Sequence, residues 1–239
     1  MTEVATTQAP GTSPEEKSGF KLIWLLYIIS GIVLLSVFAF IVFQPVQVLP
    51  RITLGPGYAL TDQNGNRLTN EDVRGSIVLY NIMYTNCDVP CTEMSQTMQE
   101  VQARLDEVDT GGIPIRFVSI SIDPEHDTPD VLKTYAESFN ADPEQWHFVT
   151  GAVDRLKWIV GGGFGLYFDK KDAETMVFDP GYFLIDSIGI MRAEYRTATP
   201  GADRILRDIG LITKEIQNSS GATRYAYEAA HLFLCYPRG

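Results

Sequence analysis

The chain has 239 residues, 45% of them hydrophobic, and its 30 acidic residues outnumber 19 basic ones for a formal net charge of −11. That length holds one or two domains, that charge excludes a nucleic-acid binder, and three cysteines are too few to build a disulfide framework.

Residues 1–20, rich in Thr, Pro, Ser and Glu, read as a disordered tail with nothing to bury. From Leu22 to Phe43 no residue is charged, and a helix of that length, rising about 1.5 Å per residue, matches the hydrocarbon core of a bilayer. A transmembrane helix over 21–44 is expected. A cleavable signal peptide fits less well, because the apolar run is long, Glu3, Glu15 and Glu16 precede it, and Phe43-Gln44-Pro45 is no cleavage site. Lys17 and Lys21 flank the helix on its N-terminal side and only Arg51 lies close on the other, so the positive-inside bias places the N-terminus in the cytoplasm. The remainder then faces the periplasm or the outer side of the cell membrane. Beyond the anchor, 17 basic and 27 acidic residues leave −10, which suits a soluble domain near an anionic membrane or steers a basic partner.

Gln44 to Pro50 holds two prolines and cannot continue the helix, so 45–57 reads as an extended linker. A domain over 58–217 follows. Asn64-Gly65 lies between short apolar pieces and predicts a hairpin. Ile77 to Met83 is apolar on both faces, as in a central strand covered on each side. Met94, Met98, Val101, Leu105 and Val108 then recur at helical spacing, which puts Cys91 at or near a helix N-terminus, with Cys87 in the turn before it. Arg116 to Ile122 predicts a second strand. Thr128-Pro129 opens a second helix, with Thr as cap and Pro at its first position. A short strand over 147–150 and a helix over 153–160, stopped by Gly161-Gly162-Gly163, come next; these glycines do not link a strand to a helix and so cradle no nucleotide. A hairpin at 182–195 and a helix over 202–216 complete an α/β domain with a central mixed sheet. Residues 218–239, with Cys235 and the apolar Leu232-Phe233-Leu234, read as a tail that docks on the domain or a partner.

A thiolate at a helix N-terminus is stabilised by free backbone N–H groups and the helix dipole, and such thiolates attack disulfides and bind soft metals. The three residues between Cys87 and Cys91 let both sulfurs converge, as a disulfide or as two ligands of one ion. Two inert or purely structural cysteines remain an alternative, against which stand the polar neighbours Asn86, Asp88 and Thr92.

The order Leu60-Thr61-Asp62-Gln63-Asn64-Gly65, Cys87-x-x-x-Cys91, Ser121-Ile122-Asp123-Pro124-Glu125-His126-Asp127-Thr128-Pro129, Phe164-Gly165-Leu166-Tyr167 and Phe183-Leu184-Ile185-Asp186 resembles the Sco/SenC family over roughly residues 53–216. The resemblance implies a thioredoxin-like fold, a site that binds copper, Cu(I) or Cu(II), through Cys87 and Cys91 and a distal histidine, and a part in assembling the copper centre of a respiratory oxidase. The histidine does not carry over: its place is Phe178, followed by Asp179-Pro180-Gly181, and His126, His147 and His231 belong to other segments. Pro180 resembles the cis-proline that packs on the active-site cysteines of thioredoxins and of membrane-anchored TlpA/ResA-like reductases. Met176 and His231 stand as substitute copper ligands. Three functions follow: a copper and redox protein serving a respiratory oxidase or another membrane electron-transport complex; a membrane-anchored thiol–disulfide oxidoreductase working through Cys87, Cys91 and Pro180; and an accessory subunit of such a complex without chemistry.

Overall fold

A computed structural model of the chain describes residues 16–43, 46–87, 89–172, 175–221 and 223–233. It divides into two compact units, the first ending at Pro45 and the second starting at Val46. The described part of the first unit is one helix, α1 (Glu16–Phe43), which begins inside the segment read as disordered. Its stretch Leu22–Ala39 is uncovered by protein and long and apolar enough to cross a membrane.

The second unit is built on a mixed sheet. Its strands are β1 (Thr53–Leu54), β2 (Ala59–Asp62), β3 (Arg67–Thr69), β4 (Ile77–Met83), β5 (Ile115–Ser121), β6 (Trp146–Thr150), β9 (Tyr182–Ile185) and β10 (Ile190–Tyr195), in the order β1-β10-β9-β4-β5-β6-β2-β3. Strands β4, β5 and β6 run parallel, linked through helices α2 (Cys91–Ala103) and α3 (Pro129–Ser138). Strand β9 pairs antiparallel to β4, and β2 to β6. Asn64 and Gly65 form the turn between β2 and β3, where Gly65 takes φ 80°, a conformation costly for any residue with a Cβ.

Every residue of β4 is buried because both faces of the sheet are covered. On one face, Tyr182 donates its hydroxyl to the Met94 carbonyl at 3.1 Å, and Ser95 of α2 meets Tyr135 of α3 at 3.0 Å. A last long helix, α5 (Ala202–Gln217), packs beside α2. On the opposite face Phe164 lies 4.5 Å from Phe183 and 5.5 Å from Tyr80 between ring centroids. The fold is thioredoxin-like.

Local departures from expectation have local causes. The short helix α4 (Val153–Leu156) runs into a π-helical stretch, Lys157–Gly163, so the three glycines sit within the helical path instead of ending it. Gly163 is required there, since an added Cβ would fall 2.4 Å from the Pro56 side chain. Two three-residue strands, β7 (Phe168–Lys170) and β8 (Met176–Phe178), pair as a separate hairpin too short to show a period. Pro129 opens α3 as expected, but the Thr128 side chain forms no cap hydrogen bond.

Part of the segment read as a linker is packed into the domain. Val48 and Leu49 are buried, and the carbonyls of Leu49 and Pro50 accept from Arg192 at 2.8 and 3.2 Å. Arg192, itself buried, is paired with Asp186 at 3.2 Å and with Glu215. Glu215 in turn meets His231 of helix α6 (Thr223–Phe233) at 2.9 Å and Arg51 at 3.1 Å. In the described part of the C-terminal tail Ala230 is buried, whereas Leu232 is exposed; Leu234 and Cys235 lie outside the described residues.

Candidate functional site

The parallel strands β4 and β5 end side by side, with Met83 opposite Ser121, so the loops that follow them share one edge of the sheet. In sheets of this kind that edge is where ligands bind. The loop after β4 carries the cysteines. Cys91 is the first residue of α2 and fully buried, Cys87 is 8% exposed, and the two are joined in a disulfide with their Cα atoms 5.7 Å apart. Between them Val89 is exposed, and the Val89–Pro90 peptide bond is cis. The carbonyl of Pro90 accepts the Met94 amide at 3.0 Å and so begins the helix. Once the disulfide is reduced, the sulfur of Cys91 stands at the positive end of a thirteen-residue helix, which favours its thiolate.

Pro180 lacks the cis bond expected of it. The cis X-Pro bond among the described residues is Val89–Pro90, and the bond before Pro180 is trans. Pro180 follows the β7–β8 hairpin. Asp179 donates its amide to the Tyr167 carbonyl at 2.9 Å and accepts the Tyr167 amide on Oδ2 at 3.1 Å, which extends the hairpin's pairing up to Pro180. His231, expected as a reserve ligand, is held on Glu215 by the pairing described above. Among the described residues no three His, Cys, Asp or Glu side chains are grouped as a metal site.

Met176 comes closer to the cysteine turn, since its amide lies 3.4 Å from the hydroxyl of Tyr84, three residues before Cys87. Phe178, expected to stand at the family histidine's place, packs edge-to-face on the same Tyr84 at 6.0 Å between centroids. Residue 178 is therefore beside the cysteine turn and presents a hydrocarbon ring there. The donors present are two sulfurs that can reach one another, a set that fits Cu(I) and leaves its third position to be found.

The sequence reading passed over the residues that brace the turn. Asp127 has no exposure and takes three donors, the Thr85 amide at 3.0 Å and the Ser121 hydroxyl on Oδ2 and the Thr85 hydroxyl on Oδ1, with His126 Nδ1 3.1 Å from Oδ1. His126 Nδ1 also lies 3.2 Å from Thr85 Oγ1. Thr85 stands two residues before Cys87, so Asp127 fixes the entry to the cysteine turn. Nearby, burial and then the charge of Asp127 push the Asp123 carboxyl up, against the opposing pull of Lys170 and His126. The ion pair of Lys170 with Glu125 ties the β7–β8 hairpin to the same loop. The signal available in sequence was positional: 121–128 follows a strand parallel to the one that precedes Cys87, and loops after adjacent parallel strands meet.

The SCO1/SenC family model matches residues 47–213. The SCO1 protein homolog of Bacillus subtilis is 26% identical over 156 residues, covering 64% of this chain and 79% of that protein. Two solved structures share the fold. Arabidopsis thaliana ScoI with copper bound is 20% identical with a TM-score of 0.59, over 69% of this chain and 98% of the other. BsSco, described as a member of the Sco family of cytochrome c oxidase assembly proteins with a disulfide switch, is 22% identical with a TM-score of 0.61, over 70% and 98%. The family match runs through the cysteine turn, the strands that support it and most of α5, and the chain belongs to the SCO1/SenC family.

Proposed function

We propose that the chain is a membrane-anchored copper carrier that takes up Cu(I) on reduced Cys87 and Cys91 and passes it to a respiratory oxidase during assembly, with the disulfide as its copper-free state. The observation that carries the reading is the cysteine pair itself: two sulfurs within bonding distance of each other at a helix N-terminus, on the ligand-binding edge of a thioredoxin-like sheet. Two thiolates select Cu(I) over harder ions. The copper-bound Arabidopsis structure and the oxidase-assembly role stated for BsSco support the cargo and the partner. α1 holds the domain at the cell membrane, with Lys17 and Lys21 on the cytoplasmic side and the domain outside.

A second reading, thiol–disulfide exchange with a protein partner, draws on Phe178 in place of a metal-binding histidine. The test uses the full chain in detergent, titrated anaerobically with Cu(I) against a chromophoric chelator. The reduced protein is expected to bind one equivalent and the disulfide form none. A reduced protein that leaves Cu(I) on the chelator but exchanges disulfides with glutathione would favour the second reading instead.

A further inference from the structure

We infer that His126, from the loop after β5, supplies the nitrogen ligand to Cu(I) held by Cys87 and Cys91. The inference rests on the proposed copper reading and names the donor that this reading lacks. Phe178 cannot ligate, and His231 is engaged with Glu215 on α5.

Three observations point to His126. The first is place. Its Nδ1 is 3.2 Å from the hydroxyl of Thr85, two residues before Cys87, and two residues of chain span at most about 7 Å. The second is orientation. A carboxylate can only accept, and the Thr85 hydroxyl is already turned to Asp127, so the Nδ1 contact with Asp127 is a hydrogen bond in the tautomer that carries its proton on Nδ1 and its lone pair on Nε2. A carboxylate holding one ring nitrogen while the other is left without a hydrogen bond is the arrangement that ordinarily orients metal-bound histidines. The third is access. Asp127 is buried, but the His126 side chain is 54% exposed, and Nε2 makes no hydrogen bond among the described residues.

In the disulfide form the three donors are not yet grouped. A dithiol reductant must first deliver two electrons and two protons to open the Cys87–Cys91 bond. Cu(I) then displaces both thiol protons to solvent and accepts the two sulfurs and His126 Nε2, with no change in its oxidation state. Cys87 is the sulfur that moves, because Cys91 is fixed in α2 while Cys87 precedes a turn whose Val89 is exposed.

The test is X-ray absorption on the reduced full chain loaded with one equivalent of Cu(I), for the wild type, His126→Gln and His231→Gln. Two sulfurs and one imidazole nitrogen are expected in the wild type and in His231→Gln, and two sulfurs alone in His126→Gln. The affinity of His126→Gln is expected to fall by at least about 10-fold, the lower bound seen when even an outer-shell partner is lost. Gln can still donate to Asp127, so the turn keeps its brace; His126→Asn repeats the experiment if His126→Gln does not fold. Imidazole scattering that persists in the His126 variant, or a wild-type site of sulfur alone, overturns the ligand assignment and leaves the copper reading standing. A wild type that takes up no Cu(I) overturns both.

Discussion

Replacing Cys91 by serine is expected to lower the affinity for Cu(I) by at least about 100-fold, and Cys87→Ser to do the same. Loss of an outer-shell partner already costs about 10–100-fold, and here a ligand is removed outright. Serine keeps nearly the same volume, but its hydroxyl stays protonated and is a hard donor, so only one soft thiolate is left to hold the ion. Neither variant can form the disulfide, and that loss has to be separated from the chemistry. The bridge links residues four apart, and closing so short a loop contributes only about 2 kcal/mol in the chain-entropy account. The core behind Cys91 is otherwise intact, with Met94, Met98 and Val101 fully buried on α2. Both variants should therefore melt cooperatively while failing to compete with a chromophoric chelator for Cu(I). Wild-type affinity in either variant would place the copper elsewhere.

Arg192→Ala is expected to destabilise the domain by about 3–5 kcal/mol, the usual cost of removing one partner from a buried ion pair. Arg192 is 2% exposed and faces two buried carboxylates, Asp186 and Glu215, as well as the carbonyls of Leu49 and Pro50. Without it, two carboxylates and two carbonyls each lose a donor, and the segment at 48–50 loses its tie to β10. For a domain of this size that corresponds to a melting temperature on the order of 10 °C lower. The pH dependence identifies the cause. Burial alone would raise the pKa of Glu215, but the hydrogen bonds from His231 and Arg192, together with their charges, outweigh it and bring it down to about 2. A depressed carboxylate contributes stability that is complete above its unfolded pKa, near 4.5, and disappears as pH falls toward 2. In the variant only His231 and Arg51 still offset the burial penalty, so Glu215 loses less by protonation than it does in the wild type. The gap between wild type and variant, measured by thermal denaturation, should therefore be wide at pH 7 and narrower at pH 3. An equal gap at both would show that packing, not charge, sets the cost.

The frame of the domain was readable because its signals are strong and local. Ile77 to Met83 is apolar on both faces but for Asn81, and Met94, Met98 and Val101 keep a helical period, so the strand-turn-helix around Cys87 and Cys91 followed directly. What escaped was set by contacts between distant segments. His126 and Asp127 gain their meaning only from the parallel register of β4 and β5, which brings Thr85 against them. Pro180 looked like a thioredoxin cis-proline by its place before β9, but the pairing of Asp179 with Tyr167 holds it at the end of a hairpin whose strands are three residues each. The glycines at 161–163 read as a stop and are instead the residues that let a π-helical stretch pass close to Pro56. Residues 48–50 read as linker because two prolines bound them, and no local pattern announces that a buried arginine 142 residues later binds Pro50.

The central claim is that Cys87 and Cys91 together are the copper site, and thiol footprinting tests it most directly. The reduced full chain, with and without one equivalent of Cu(I), is alkylated anaerobically and each cysteine is scored by mass spectrometry. Bound Cu(I) is expected to protect Cys87 and Cys91 together while Cys235 stays as reactive as in the copper-free protein. Uptake of one equivalent that leaves Cys87 and Cys91 open to alkylation, or that shields Cys235 instead, would contradict the claim.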